Sequence, residues 1–128
     1  MITDNQVYTY VANYIRERHG NIYVTGSRVY KRPELPCVSI VCIDGTPFSE
    51  TVDLTDTNRR STFEVNVYTD TTLSDAKSIA EDIKNAFREC GYRCRVHSPL
   101  DNVNDITIKR YVGSYTRVIG DGDTLPNN

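Results

Sequence analysis

Apolar residues recur at helical spacing near the start of the chain. The recurring positions are Val7, Tyr10, Val11, Tyr14 and Ile15. Residues spaced by three and four lie on one face of a helix, so the pattern predicts an amphipathic helix here. Thr3 or Asp4 can cap its start, and Gly20 is a typical helix end.

The middle of the chain alternates between apolar and polar positions, as β-strands do. We predict strands over residues 21–30, 37–43, 48–56 and 62–69. The strand at 37–43 is apolar on both faces, which is typical of a central strand. The strand at 62–69 alternates cleanly, with Phe63, Val65 and Val67 on one face.

A second helical pattern begins at Thr72 or Ser74 and ends at Gly91. Its apolar stripe comprises Ala76, Ile79, Ala80, Ile83, Ala86, Phe87 and Cys90. A short strand at 92–98 and a long final strand within 99–119 follow. The order α-β-β-β-β-α-β-β predicts an α+β fold, a mainly antiparallel sheet with both helices on one face. Residues 1–119 form a single domain in this interpretation, and 120–128 a mobile polar tail.

Composition narrows the classes of function. The chain has 128 residues, enough for one core, and a net charge of −2. Tight, sequence-independent DNA binding needs a clustered excess of Lys and Arg, so this charge argues against it. The pattern shows neither a membrane-spanning segment nor a secretion signal. Nine tyrosines and no tryptophan suit either wet interfaces or plain antiparallel sheets.

Four cysteines raise the question of a metal site or a disulfide. Cys37 and Cys42 are five residues apart in one predicted strand, so their side chains lie on opposite faces. Cys90 and Cys94 flank a helix end with His97 beyond, but the usual zinc spacings are absent. We expect reduced, largely buried thiols and no metal.

The residues offer little support for catalysis. An enzyme needs a nucleophile, a base and a group that orients them. The two histidines, His19 and His97, accompany no recognised Ser or Cys nucleophile motif. The carboxylates Asp53, Asp56 and Asp70 lie where solvated acids are ordinary. We therefore expect no enzyme activity.

Three segments resemble the tail terminator (tail completion) proteins of tailed bacteriophages. They are RPELPCVSIVCID, then FEVNVYTD with the helix LSDAKSIAEDIKNAFRECGYRC, and finally residues 99–118. In the last segment the matching positions are Asn102, Asp105, Thr107, Ile108, Arg110 and Tyr115. Lys109 and Ser114 depart from the pattern, because an aromatic and a basic residue are more usual there.

The resemblance implies a structural virion protein without cofactors or metals. Such proteins form a ring, usually hexameric, on the last ring of the major tail tube protein. The ring stops tube growth and offers the surface on which the head-tail connector or neck proteins dock. DNA passes through its lumen without specific binding, and no membrane is involved. The expected location is the tail-neck junction of the virion, after assembly in the host cytoplasm.

A ring requires two different surfaces of each subunit to meet. One candidate surface is the long polar segment 46–60. Its charged residues are Glu50, Asp53, Asp56, Arg59 and Arg60. We expect it to order on assembly; alternatively it is a plain surface hairpin. Asp53 and Asp56 are also candidates for an acidic pore wall, which would not retain phosphates.

The second candidate surface is one face of the last strand. Its odd-numbered positions, which lie on one face, include Lys109, Tyr111, Tyr115 and Arg117. Tyrosine and arginine are frequent anchors of interfaces. Alternatively, the two tyrosines pack under a helix while the basic side chains extend to water.

Two other functions remain open. A head-side neck component, either a head-closure or a connector ring, is the main alternative. Head-closure proteins are small β-barrels and connector adaptors are largely helical, so the predicted mixture of strands and helices disfavours both. The alternative from another class is a small binding module outside the virion.

Overall fold

A computed structural model of the chain describes residues 2–20, 22–27, 35–44, 58–100, 107–120 and 122–126. It contains two helices and five strands. In chain order these are α1 (Asp4–His19), β1 (Tyr23–Thr25), β2 (Cys37–Asp44), β3 (Asn58–Thr69), α2 (Leu73–Glu89), β4 (Arg93–Leu100) and β5 (Lys109–Gly120). The α+β class predicted from the sequence is confirmed.

Polar caps fix where each helix begins. At α1, the Gln6 amide donates to the Thr3 hydroxyl (3.2 Å) and the Thr3 amide donates to the Gln6 side chain (3.0 Å). This reciprocal pair is a capping box, so Thr3 and not Asp4 is the N-cap. At α2, the Thr72 hydroxyl accepts from the Asp75 amide at 3.1 Å. Both helices therefore start where the sequence predicted.

The five strands form one sheet in the order β1-β2-β3-β5-β4. β1 and β2 are parallel, and every other neighbouring pair is antiparallel. β3 and β5 pair along their full length, from Asn58 opposite Gly120 to Thr69 opposite Lys109. The centre of the sheet is therefore made by strands that are far apart in sequence.

Both helices lie against the same face of this sheet. The apolar stripe of α2 is buried, from Ala76 to Phe87, and α2 contacts β3, β4, β5 and α1. The buried side of α1 comprises Val7, Val11, Ala12 and Ile15. It joins one core cluster with Val38 and Ile40 of β2 and with the inward residues of β3 and β5.

Four aromatic rings form the centre of the core. Phe87 of α2 stacks on Tyr115 of β5, with ring centroids 4.5 Å apart and planes within 9° of parallel. Phe63 and Tyr92 contact Phe87 at 5.4 and 5.3 Å. The Tyr115 ring lies over Gly113, where an added Cβ would come within 2.6 Å of the Tyr115 hydroxyl and 2.9 Å of its ring. Gly113 therefore makes room for the ring that joins α2 to the sheet.

The structure also differs from the predicted elements. Of the strand predicted at 21–30, β1 covers only Tyr23–Thr25, and residues 28–30 lie outside the described part. The strand predicted at 48–56 lies entirely outside it. β3 begins four residues earlier than predicted, because its register with β5 continues to Asn58.

The described residues after Gly120 are attached to the domain, although the sequence predicted a mobile tail. The Asp123 carboxylate accepts from the Gly120 amide (2.7 Å) and from the Arg117 guanidinium (3.0 Å). Leu125 packs against the core cluster. One acidic and one apolar side chain of the predicted tail therefore have partners in the domain.

We predict that Gly113→Ala lowers the free energy of unfolding by about 1–3 kcal/mol, the usual cost of overpacking a core. The added methyl group would displace the Tyr115 ring from its stack on Phe87. Denaturant unfolding of both proteins measures the difference. Gly122→Ala is the matched control, since an added Cβ there meets nothing within 4 Å. Equal stability of the two variants would contradict this account.

Candidate interaction surfaces

The sheet face opposite the helices is rich in polar side chains. Outward residues of β3 and β5 pair across this face, Thr62 with Thr116 and Asn66 with Val112. The two threonine hydroxyls are 3.0 Å apart. The Arg110 guanidinium donates twice to the Asn66 side-chain oxygen, from Nε (2.9 Å) and Nη2 (2.7 Å). Neither described helix covers this surface, which we call the helix-free face.

A groove of about 650 Å³ lies at one end of the sheet, between the helix-free face and the C-terminal end of α2. It lies where β3 begins, β4 begins and β5 ends. Its charged lining is Arg60, Arg93, Arg95 and Arg117, and Thr116 and Val118 contribute the rest of its side-chain surface. No acidic residue of the described chain lines it. We call it the arginine groove.

Strand register brings these arginines together. Arg60 of β3 is opposite Val118 of β5, and Arg93 of β4 is opposite Thr116. The register of β4 shifts between Cys94 and Val96, and Arg95 is the extra residue of this bulge. A bulge re-aims side chains, so two nearly consecutive arginines reach the same groove.

Arg117 has intramolecular partners. Its Nη1 donates to the Cys90 carbonyl at the end of α2 (2.5 Å), and its Nη2 pairs with Asp123. The negative end of the helix dipole stabilises a cation at this position. Gly91, with φ of 84°, lies so close that an added Cβ would be 2.7 Å from Arg117 Nη1. Arg117 thus caps α2 while forming one wall of the groove.

Arg93 and Arg95 are different, because both are exposed and neither pairs with a carboxylate of the described residues. Arginine presents a planar fork of donors that matches carboxylate or phosphate oxygens. Val118, 43% exposed, adds an apolar contact beside them. The groove is therefore suited to an anionic partner that carries some apolar surface.

The structure corrects the interpretation of the last strand as an exposed face. Tyr111 and Tyr115 are 6% and 1% exposed, because their side of β5 packs beneath α2. Burial also raises the pKa of Tyr115 well above its usual value. The part of the alternative in which both tyrosines pack under a helix is confirmed. The part in which the basic side chains extend to water is wrong for Arg117, whose side chain is 18% exposed and bonds to Cys90 and Asp123. Lys109 lies at the start of β5, opposite Thr69 and far from Arg117.

The first candidate surface is only partly described. Glu50, Asp53 and Asp56 lie outside the described residues, and Arg59 is known only as a β3 position opposite Ile119. Arg60 and Arg117, assigned from sequence to two different surfaces, meet in the arginine groove. Arg93 and Arg95 were not among the predicted interface residues. Their only signal in the sequence is a pair of arginines on a short strand, which local pattern alone does not connect to Arg60.

Both histidines contact acidic residues of α2. His19 Nε2 lies 2.6 Å from Asp82 Oδ2, which ties the end of α1 to α2. His97 Nε2 lies 3.1 Å from Glu81 Oε1, which ties β4 to the same helix. The His97 ring also meets Tyr111 edge-on at 4.9 Å. These contacts connect secondary-structure elements and give each imidazole a structural role.

The structure confirms that the two cysteines of β2 are separated by the strand. Cys37 is buried and Cys42 is exposed, on opposite faces of the strand. All four cysteines are described, and none forms a disulfide. Burial raises the pKa of Cys37 to about 11 and that of Cys90 to about 12. Within the described ranges, no three His, Cys, Asp or Glu side chains come together as a metal site would require.

No protein-family model matches this chain, and no curated protein matches it. Neither of its described helices is long and apolar enough to cross a membrane.

We predict that the exposed thiol of the native protein reacts faster than the two buried thiols. At pH 8 a thiol reagent reacts quickly with exposed Cys42 and slowly with Cys37 and Cys90, since these are buried and carry few thiolates below pKa values of about 11 and 12. Mass spectrometry after timed labelling measures this difference. Cys42→Ser should remove the fast reaction at position 42 and leave that of the partly exposed Cys94, and denaturant should expose the buried thiols. Rapid labelling of Cys37 or Cys90 in the folded protein would contradict the burial described here.

Proposed function

We propose that this protein is a bacteriophage tail terminator, a structural protein that forms a ring on the end of the tail tube. The segments that carry the resemblance supply β2, α2, most of β3 and β5, and the two ends of β4. The resemblance therefore spans most of the framework of the domain.

The observation that carries the proposal is the helix-free face with its arginine groove. Specific interfaces are enriched in arginine and aromatic residues around an apolar centre. Here exposed arginines lie beside Val118, and Val96 on β4 is 45% exposed on the same side. A surface of this kind supports association with other protein subunits.

The size of the domain is compatible with a ring around DNA. A chain of 128 residues has a radius of gyration of about 14 Å, hence an equivalent sphere of roughly 18 Å radius. Six touching spheres of that size leave a central hole about 36 Å wide before loops narrow it. A DNA duplex about 20 Å across passes through such a hole.

In this proposal the partners are further copies of the chain, the major tail tube protein and the neck proteins. The ring, with six copies as the expected number, stops tube polymerisation and presents the surface onto which the head docks. Its location is the tail-neck junction of the virion. The role is mechanical, so it requires neither catalysis nor a cofactor.

Negative-stain microscopy of the purified protein, alone and with its matching polymerising tail-tube protein, tests the proposal. We expect rings, or tubes that are blocked at one end and no longer grow. Tubes incubated without the protein are the control. Capping at the tube end distinguishes a terminator from a head-side neck ring. Protein that neither forms rings nor changes tube length would refute the proposal.

A further inference from the structure

We propose that the arginine groove receives the acidic segment 46–57 of a neighbouring copy. This inference rests on the proposed function, because it names the contact that would join one subunit of the ring to the next. It assigns the groove to a carboxylate-bearing protein segment. The structure describes the groove, and the acidic segment is characterised by its amino-acid sequence.

Two arginines of the groove have no carboxylate partner among the described residues. Arg117 is balanced by Asp123, but Arg93 and Arg95 make no ion pair with any described residue. Both lie on the edge strand β4 and are exposed. Exposed guanidinium groups that converge on one hollow attract anions, and the Thr116 hydroxyl in the lining adds a hydrogen-bonding group.

The segment has matching chemistry. Residues 46–57 read TPFSETVDLTDT, with three carboxylates at Glu50, Asp53 and Asp56 and no lysine or arginine. Phe48, Val52 and Leu54 give it apolar side chains as well. Val118 in the groove is 43% exposed, so an apolar contact can accompany the charge pairs. Arginine–carboxylate pairs around an apolar contact are a common arrangement at protein interfaces.

The distribution of charge favours a second copy over a nucleic acid. The whole chain has 15 basic and 17 acidic residues, so the part outside the four groove arginines has 11 basic against 17 acidic residues, a net charge of −6. That excess repels a polyanion and attracts the groove of another copy. A contact between two different surfaces is heterologous, the kind that closes a ring.

Charge reversal in complementary copies tests the contact. The first variant is Arg93→Glu/Arg95→Glu, and the second is Asp53→Lys/Asp56→Lys. Each alone should self-associate at least about tenfold more weakly than the wild type, because groove and segment then repel each other. An equimolar mixture should recover association, since the acidic groove of one variant meets the basic segment of the other. Sedimentation velocity at about 50 mM and about 0.5 M salt measures this, with wild-type association weaker at the higher salt.

Lys77→Glu/Arg88→Glu is the matched control. It makes the same change in net charge at exposed positions on α2, outside the groove. We expect it to associate like the wild type. Circular dichroism establishes that each variant is folded before its association is compared. If the control variant self-associates as weakly as the groove variant, net charge and not the groove governs association. That result would overturn the proposal.

A variant carrying all four reversals separates contacts between copies from contacts within one copy. If it associates like the wild type but the mixture of the two double variants does not, the segment occupies the groove of its own chain and the proposal fails. Wild-type protein that never self-associates also overturns it. So does binding of a fluorescent DNA duplex that is lost with Arg93→Glu/Arg95→Glu while self-association is unchanged.

The tube assay distinguishes this inference from the proposed function. Wild-type protein that caps tubes, with association unaffected by the reversals, would overturn the groove contact and leave the terminator proposal standing. Association that follows the reversals, without any effect on tubes, would support the groove contact and refute the terminator proposal.

Discussion

The stack of Phe87 on Tyr115 is the contact on which the rest of the domain depends. It joins the last turn of α2 to the middle of β5, and it is possible only because Gly113 leaves room for the tyrosine ring. Once this contact fixes α2 along β5, the end of the helix lies beside Arg117, two residues beyond Tyr115. The guanidinium that caps α2 is therefore held at the same place where it forms a wall of the arginine groove.

The side chains on the two faces of β5 have different roles. Tyr111 and Tyr115 point into the core, whereas Thr116 and Val118 point to the helix-free face. Since side chains alternate along a strand, a shift of one residue would exchange the two sets. Full-length pairing with β3 prevents such a shift. The stability of the core and the composition of the candidate interface are thus set by one register.

Local signals in the sequence were sufficient for the helices and their ends. Thr72, Gly91 and the spacing of apolar residues act within a few positions, so they can be recognised without the fold. The direction in which Tyr115 points could not be predicted, because both faces of β5 contain residues suited to a core or to an interface. The groove also escaped prediction. It depends on Arg60 pairing opposite Val118, 58 positions away, and on a bulge that gathers Arg93 and Arg95.

The outer edge of β4 limits how copies of this domain can add to one another. An exposed edge strand offers unpaired amide and carbonyl groups to another strand and so invites sheet-to-sheet growth. β4 interrupts that edge with a bulge at Arg95 and a proline, Pro99, which has no amide hydrogen to donate. Both features are known protections against aggregation. Copies of this domain therefore present an edge that does not readily accept a further strand.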